Sequence, residues 1–173
     1  MPPDADSRDI RYRYDLGGGA TMDLGCYTIS ILRFLAGAEP EVVRAEAALS
    51  SPQVDRAMKV DFRFADGRTG HIHCSLFSSV LFRVRATVRG EDGVLSVFNP
   101  MAPHLFHRLT LRTAAGKKTE KVPGDATYTC QLRAFAACVR GEERMPTDAA
   151  HGVANMRVID AVYDAAGLAR RGT

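Results

Sequence analysis

The sequence lacks the features that mark several classes of protein. Its 173 residues carry a formal net charge of only +3, and no basic face is interleaved with aromatic side chains, so nucleic-acid binding is not expected. The absence of a G-x-S-x-G elbow leaves an acyl-transfer nucleophile unsupported. The longest apolar stretch, around residues 20–36, contains Asp23 and Arg33 and is short for a membrane span. The polar N-terminus, MPPDADSRDIRYRYD, holds no apolar signal-peptide core. We therefore expect a soluble, cytoplasmic protein.

A recognisable metal-binding pattern is also absent. The four cysteines include no C-x-x-C pair, which argues against a zinc ribbon and favours reduced thiols in a cytoplasmic protein. His71 and His73 alternate on one predicted strand and so face the same way, but no carboxylate or cysteine stands at a supporting spacing. We predict no metal site.

Nucleotide-binding signatures are missing as well. The glycines at 17–19 do not continue into G-x-G-x-x-G, because Met22 occupies the place of the third glycine and no apolar strand precedes them. No G-x-x-x-x-G-K-[ST] segment occurs anywhere in the sequence. The chain alone is therefore expected to bind no nucleotide cofactor.

What the sequence does contain is a helix, a run of strands and two further helices, which predicts an α+β fold. Residues 1–16 form an irregular lead-in, and a helix runs from about Gly19 to Leu35 before the stop signals Gly37 and Pro40. Six alternating segments follow at 42–49, 58–64, 69–77, 82–90, 93–98 and 107–113, with 118–122 as a seventh candidate. Helices at about 126–139 and 147–166 close the chain. Short turns between the strands predict an open, largely antiparallel sheet of about six strands with helices packed on one face.

The first predicted helix holds an acid in otherwise apolar surroundings. Residues 15–30 read DLGGGATMDLGCYTIS, and Asp23 and Tyr27 are four residues apart, so on a helix they share one face. A carboxylate among apolar residues is costly unless it has partners. A phenol held beside it can donate a proton to a carbonyl oxygen or accept one from an alcohol. The preceding glycines allow a ligand to approach the backbone closely.

A structural interpretation of the same residues stays open at this point. Asp23 lies near the first turn of the helix, where an acid complements the helix dipole. Tyr27 also fits a core residue with a satisfied hydroxyl group. Spacing alone does not decide between these interpretations.

The segment GGGATMDLGCYTISILRFLAG resembles the start of the C-terminal domain of the Gfo/Idh/MocA oxidoreductases. That family shows GGG, then D-x-G-x-[HY], then an apolar helix that ends at G-x-x-P. The matching positions here are Gly17, Gly18, Gly19, Asp23, Gly25, Tyr27, Gly37 and Pro40. VRGEDGVLSVFNP resembles a strand pair of the family, and TYTCQLRAFAACVRGEERMPTDAAHGVANMRVIDAVYDAAG resembles its terminal helices. The resemblance covers nearly the whole chain from Tyr14 onward, so we assign residues 17–173 to this domain.

The resemblance implies one half of a two-part enzyme. Family members bind NAD or NADP in an N-terminal Rossmann half that also supplies a catalytic lysine, and both are missing here. Carried over by position, Asp23 orients the substrate and Tyr27, where many members have His, is the general acid/base. Gly18 and Gly19 border the substrate, and Tyr128 is a further candidate at the start of a helix. The implied substrates are sugars, polyols and related alcohols or ketones.

Two functions remain open on the sequence. The chain is either the substrate-binding and oligomerisation half of an NAD(P)-dependent oxidoreductase, inactive in isolation, or a stand-alone, non-catalytic module for ligand binding or dimerisation. Arg83, Arg85, Thr87 and Arg89 alternate with apolar residues along one strand. Such an open sheet face is often used for self-association, which favours a homo-oligomer, although arginines that are simply solvated fit the same pattern.

Overall fold

The computed structural model describes residues 9–76 and 83–172. The chain divides into two compact units, one formed by residues 1–79 with 149–173 and the other by residues 80–148. The first eight residues of the predicted lead-in, and the ends of predicted strands at 77 and 82, lie outside the described residues. In the part of the chain that is described, no helix is both long and apolar enough to cross a bilayer.

The elements follow the order that apolar periodicity predicts. They are 3₁₀ turns at Ile10–Tyr12 and Tyr14–Leu16, a π-helical turn at Thr21–Gly25, α1 (Cys26–Ala36), β1 (Glu41–Ser51), β2 (Val54–Arg63), β3 (Thr69–Ser75), β4 (Arg85–Arg89), β5 (Gly93–Phe98), β6 (Arg108–Thr113), β7 (Gly116–Glu120), α2 (Thr127–Val139) and α3 (Ala149–Ala165). The α+β class is confirmed, and the candidate strand at 118–122 is present as β7.

The first unit is a three-stranded antiparallel sheet with two helices on one face. Its strand order is β1-β2-β3, and α3 contacts β1 while α1 contacts β3. Alternation along β2 turns Met58, Val60 and Phe62 inward, where they pack with Ile29 of α1 and Ile159 of α3. The predicted layer of helices over one sheet face is confirmed for this unit.

The end of α1 is fixed by a glycine and by a buried arginine. Gly37 has φ 62° and donates its N–H to the Arg33 carbonyl oxygen, as the predicted stop signal requires. The Arg33 guanidinium donates to both carboxylate oxygens of Glu39, at 2.7 and 2.6 Å, and more distantly to Asn155 on α3. These hydrogen bonds lower the pKa of Glu39 below its ordinary value. The helix is therefore anchored to its neighbour at the end remote from the glycines.

The second unit is a four-stranded antiparallel sheet, ordered β4-β5-β6-β7, followed by α2. The described strands thus number seven and form two hydrogen-bonded sheets, whereas periodicity predicted one sheet of about six. Periodicity identifies strands but does not specify which edges pair. The register also gives this sheet two different faces.

One face of the second sheet is cationic and the other is apolar. A row of hydroxyl groups crosses the first face: Thr87, Ser96, Thr110 and Thr119. Basic residues flank this row on both sides, with Val94 and Phe98 of β5 between them: Arg85, Arg89, Arg108, Arg112 and Lys117. The opposite face carries Ala86, Val88, Leu95, Val97, Leu109 and Leu111, and on its edge strand β7 the ion pair Lys118–Glu120. The predicted alternation at 83–89 is therefore the edge of a pattern that spans the sheet.

Shortening a core side chain of α3 should destabilise the protein much more than shortening an exposed one. Ile159 is fully buried, whereas Val153 on the same helix is exposed. We expect Ile159→Ala to lower the free energy of unfolding by about 2–5 kcal/mol, because it removes buried methyl groups and leaves a cavity. Val153→Ala should change it by less than about 0.5 kcal/mol. Urea denaturation measures both, and equal losses would contradict this packing.

Candidate functional site

The three glycines fold the chain back onto its own lead-in. Gly18 donates its N–H to the Arg13 carbonyl oxygen at 2.7 Å, and Gly19 donates to that of Arg11 at 2.9 Å. A Cβ on Gly18 would lie 2.7 Å from backbone atoms of Arg13 and Ile10. Both glycines are buried, so these two N–H groups are committed to the protein and not offered to an anion. Their predicted contact with substrate stays a prediction.

A buried carboxylate holds the start of the helix. Asp55 of β2 is fully buried, and its Oδ2 accepts hydrogen bonds from Thr21 N and Thr21 Oγ1 at 2.8 and 2.7 Å. Its Oδ1 accepts from the Tyr163 hydroxyl at 3.2 Å and from Arg171 at 3.4 Å. A carboxylate at this position satisfies a free N–H of the first turn and complements the helix dipole. Asp55 therefore caps the helix from a neighbouring strand.

The Arg171 guanidinium completes this cluster. Its Nε donates to the Gly18 carbonyl oxygen at 2.9 Å, and its Nη2 donates to that of Gln53 at 2.6 Å. The guanidinium carbon Cζ lies over two aromatic rings, 4.9 Å from the centre of the Tyr14 ring and 4.1 Å from the centre of the Tyr163 ring. Burial first, and then the charge of Asp55, raise the pKa of Tyr163 above its ordinary value. Tyr163 is therefore a neutral hydrogen-bond donor and not a proton acceptor.

Sequence reasoning missed Asp55 because a β-bulge turns it inward. Ala48 pairs with Ala57, but Leu49 pairs with Asp55, so Arg56 has no opposing residue in the register. Alternation counted back from the buried residues of β2 places Asp55 on the outward side. Thr21, Tyr163 and Arg171 are distant in sequence and show no spacing pattern. The only local signal was an acid at the start of an apolar strand.

Asp23 and Tyr27 lie on the helix whose first turn is bonded to Asp55. Asp23 sits in the π-helical turn and donates its N–H to the Gly19 carbonyl oxygen at 3.0 Å, while Cys26 N–H bonds five residues back to Thr21. π-Helical turns within helices occur frequently at functional sites. Asp23 is half-buried and Tyr27 is 52% exposed, so neither group is sealed in the core. Their catalytic roles stay predictions, and the accessibility those roles require is present.

The surroundings of the pair are basic on one side and apolar on the other. The pKa of Arg11 is raised, chiefly by its hydrogen bonds to Asp9 and to a smaller extent by the charge of Asp23, so a guanidinium lies near the Asp23 carboxylate. Phe34, seven residues beyond Tyr27 and thus on the same face of the helix, is 81% exposed. An exposed apolar surface therefore runs along the helix from Tyr27.

The remaining candidate residues are Tyr128 and the histidines of β3. Tyr128 is the second residue of α2 in the second unit and is 77% exposed, so its substrate contact stays a prediction. His71 Nδ1 lies 3.3 Å from Asp61 Oδ1. Among the described residues, no three or more His, Cys, Asp or Glu side chains are placed to hold one metal ion together.

A dinucleotide does not fit the described residues. Every strand pair in the two sheets is antiparallel, whereas the dinucleotide fold needs parallel strands joined through a helix. The N–H groups of Gly18 and Gly19, which could otherwise approach a pyrophosphate, are donated to carbonyl oxygens. Binding of NAD or NADP is therefore not assigned to these residues.

A family profile and several curated proteins match this chain. The sequence profile of the GFO/IDH/MocA C-terminal domain matches residues 1–96. D-xylose 1-dehydrogenase (NADP(+)) 2 of Haloferax volcanii is 32% identical over 171 residues, covering 96% of this chain and 50% of that protein. The dTDP-3,4-didehydro-2,6-dideoxy-alpha-D-glucose 3-reductase of Streptomyces violaceoruber is 30% identical over 182 residues, covering 97% of this chain and 52% of that protein.

Solved structures support the same fold. KijD10, a 3-ketoreductase from Actinomadura kijaniata in complex with NADP and TDP-benzene, superposes with a TM-score of 0.80 at 22% identity. The match covers 92% of this chain and 50% of that one. The chain thus spans about half the length of the curated relatives it matches.

Adding a methyl group at Gly19 should be far more costly than adding one at Gly17. Both have positive φ, 136° and 74°, but a Cβ on Gly19 would lie 2.2 Å from Asp55 Oδ1, whereas one on Gly17 would meet nothing within 4 Å. We expect Gly17→Ala to cost about 1–2 kcal/mol of unfolding free energy from backbone strain alone. Gly19→Ala should cost about 3 kcal/mol or more, because it also displaces the cap. Urea denaturation distinguishes the two, and similar costs would contradict the cap.

Proposed function

The chain belongs to the Gfo/Idh/MocA family as its C-terminal domain, and from this premise we propose that it is the substrate-binding and oligomerisation half of an NAD(P)-dependent oxidoreductase. The proposed reaction interconverts an alcohol and a carbonyl group on a sugar-like or polyol-like substrate. The observation that carries the proposal is the accessible Asp23–Tyr27 pair on a helix start held by buried contacts. The names of the relatives, a D-xylose dehydrogenase and a dTDP-sugar reductase, support the substrate class.

Tyr27 is assigned the proton transfer. Its exposed hydroxyl donates a proton to a substrate carbonyl oxygen during reduction and accepts one from the alcohol during oxidation. Asp23, four residues earlier on the same helix, orients the substrate and the phenol through its carboxylate. Arg11 lies close enough to Asp23 for their charges to interact. Gly18, Gly19 and Tyr128 remain proposed substrate neighbours.

The cofactor belongs to polypeptide outside this chain. The relatives are about twice as long, and the described residues do not fit a dinucleotide. The exposed Phe34 and Leu35, about two turns beyond Tyr27 on α1, provide an apolar surface that a nucleotide-binding half would cover. The isolated chain is then expected to be inactive. The four free thiols support a cytoplasmic location for the whole enzyme.

Removing the Tyr27 hydroxyl should disable the enzyme without unfolding it, because the side chain is exposed. In the native polypeptide that contains this sequence, Tyr27→Phe should lower kcat by about 10²–10⁴-fold on a panel of aldoses and polyols, with NAD(P)H formation as the readout. Tyr12→Phe is the control and should leave kcat unchanged.

An unchanged rate in Tyr27→Phe would remove Tyr27 from the mechanism. Calorimetry on the 173 residues alone provides a second test. Tight binding of NADP to this chain would contradict the assignment of the cofactor to another half. Binding of a sugar by a native protein that shows no dehydrogenase activity would favour the stand-alone module.

Homo-oligomerisation through the second sheet is the other part of the proposal, and its apolar face is the better candidate. Val88 and Leu111 on that face are 40% and 42% exposed. Two copies of the cationic face would place like charges opposite each other, which costs several kcal/mol. The charges of Lys118 and Glu120 on the apolar face pair with each other, and the face gains from the removal of apolar surface from water.

A charge placed on the apolar face should dissociate the oligomer. We expect Val88→Glu to raise the dissociation constant at least about tenfold, because it would bury an unpaired carboxylate at the interface. Thr87→Glu, one residue away on the cationic face, should leave it unchanged. Sedimentation equilibrium measures both, and the reverse outcome would assign the interface to the cationic face.

A further inference from the structure

The residues after α3 form a C-terminal strap, residues 167–172, that turns back across the start of the chain. Leu168 N–H donates to the Tyr163 carbonyl oxygen at 2.9 Å, which closes the turn after the helix. Ala169 N–H donates to Gln53 Oε1 at 2.7 Å, and the Tyr14 hydroxyl donates to the Arg170 carbonyl oxygen at 3.0 Å. The strap is therefore fastened both to the β1–β2 turn and to the lead-in.

We propose that Arg171 of this strap is a positioning residue for Asp23 and Tyr27. Its contribution to catalysis rests on the function proposed above, whereas its effect on the helix start does not. The guanidinium is buried, donates to three backbone carbonyl oxygens and to Asp55, and is enclosed by two aromatic rings. The planar guanidinium holds its N–H donors in fixed directions that match these acceptors, and the ammonium group of lysine does not reproduce that arrangement.

Two routes lead from Arg171 to the turn that carries Asp23. The first is through the backbone, because Arg171 Nε holds the Gly18 carbonyl oxygen and the next residue, Gly19, accepts the Asp23 N–H. The second is through Asp55, whose carboxylate contacts Arg171 on one oxygen and binds Thr21, the first residue of the π-helical turn, on the other. Both routes end within one turn of Asp23.

The expected effect of losing Arg171 is local. The core under α1 and α3 is built from residues such as Met58, Ile29 and Ile159, none of which Arg171 supports by a hydrogen bond. Without the guanidinium, Asp55 keeps its bonds to Thr21 and Tyr163 but loses its only cationic partner among the described residues. The glycine turn and the π-helical turn should therefore open more often, while the sheet stays intact.

Amide hydrogen exchange on the whole chain tests this inference. Arg171→Gln should accelerate exchange at Asp23 and Cys26, the amides bonded to Gly19 and Thr21, by roughly tenfold or more. Amides of the β2–β3 ladder should change by less than about twofold. The control is Arg170→Gln, which removes an adjacent guanidinium bound to the exposed Asp164 and should change neither set.

Arg171→Lys keeps the charge with little loss of volume, so it remains informative should the glutamine variant not fold. It should accelerate exchange at Asp23 and Cys26 to an intermediate degree, because it retains the charge but not the planar fork. Uniform acceleration across the chain, or none at Asp23 and Cys26, would overturn the positioning role and leave Arg171 with a global role or none.

Activity of the native polypeptide separates the two proposals. Arg171→Lys should lower kcat by more than it raises KM and should shift the pH profile of kcat, since it misplaces Tyr27 without removing it. Local exchange changes in a protein without oxidoreductase activity would preserve the positioning role and refute the proposed function. Local exchange changes with unaltered kinetics in an active enzyme would refute the catalytic part of the positioning role.

Discussion

The structure of the first unit depends on the buried carboxylate of Asp55. A charged group with no exposed surface persists only when it is paired and hydrogen-bonded, and Asp55 receives donors from Thr21, Tyr163 and Arg171. These donors come from three separate parts of the chain and together compensate the cost of burying the carboxylate. Asp55 therefore ties β2, the helix start, α3 and the C-terminal strap to one point.

The Asp55 contacts fix the position of the helix that carries the candidate site. Hydrogen bonds from the Asp55 cap and from the glycine turn hold the helix start, while the Tyr27 side chain remains open to solvent. An acid/base group is most useful when its position is fixed and its access is free. A held helix start and an accessible phenol are together what the proposed proton transfer by Tyr27 requires.

Much of the fold was predictable because it depends on local periodicity. The helix stop at Gly37, the terminal helices and the positions of the strands follow from patterns of period 3.6 or 2 and from turn residues. The Asp23–Tyr27 pair was equally visible, because spacing along one helix is a local property. The division into two sheets and the inward turn of Asp55 were not, because strand pairing and the bulge at Arg56 depend on the partner strand.

The sequence by itself determined the α+β class, the order of elements and the spacing of Asp23 and Tyr27, since each of these is encoded within a window of about one or two helical turns or one strand. Only the tertiary structure decided what holds those residues. Asp55 and Arg171 are separated by 116 positions and each joins elements that touch only in the folded chain. The physical reason is that a buried charge must find its partners through space, and no spacing along the chain records which partners these are.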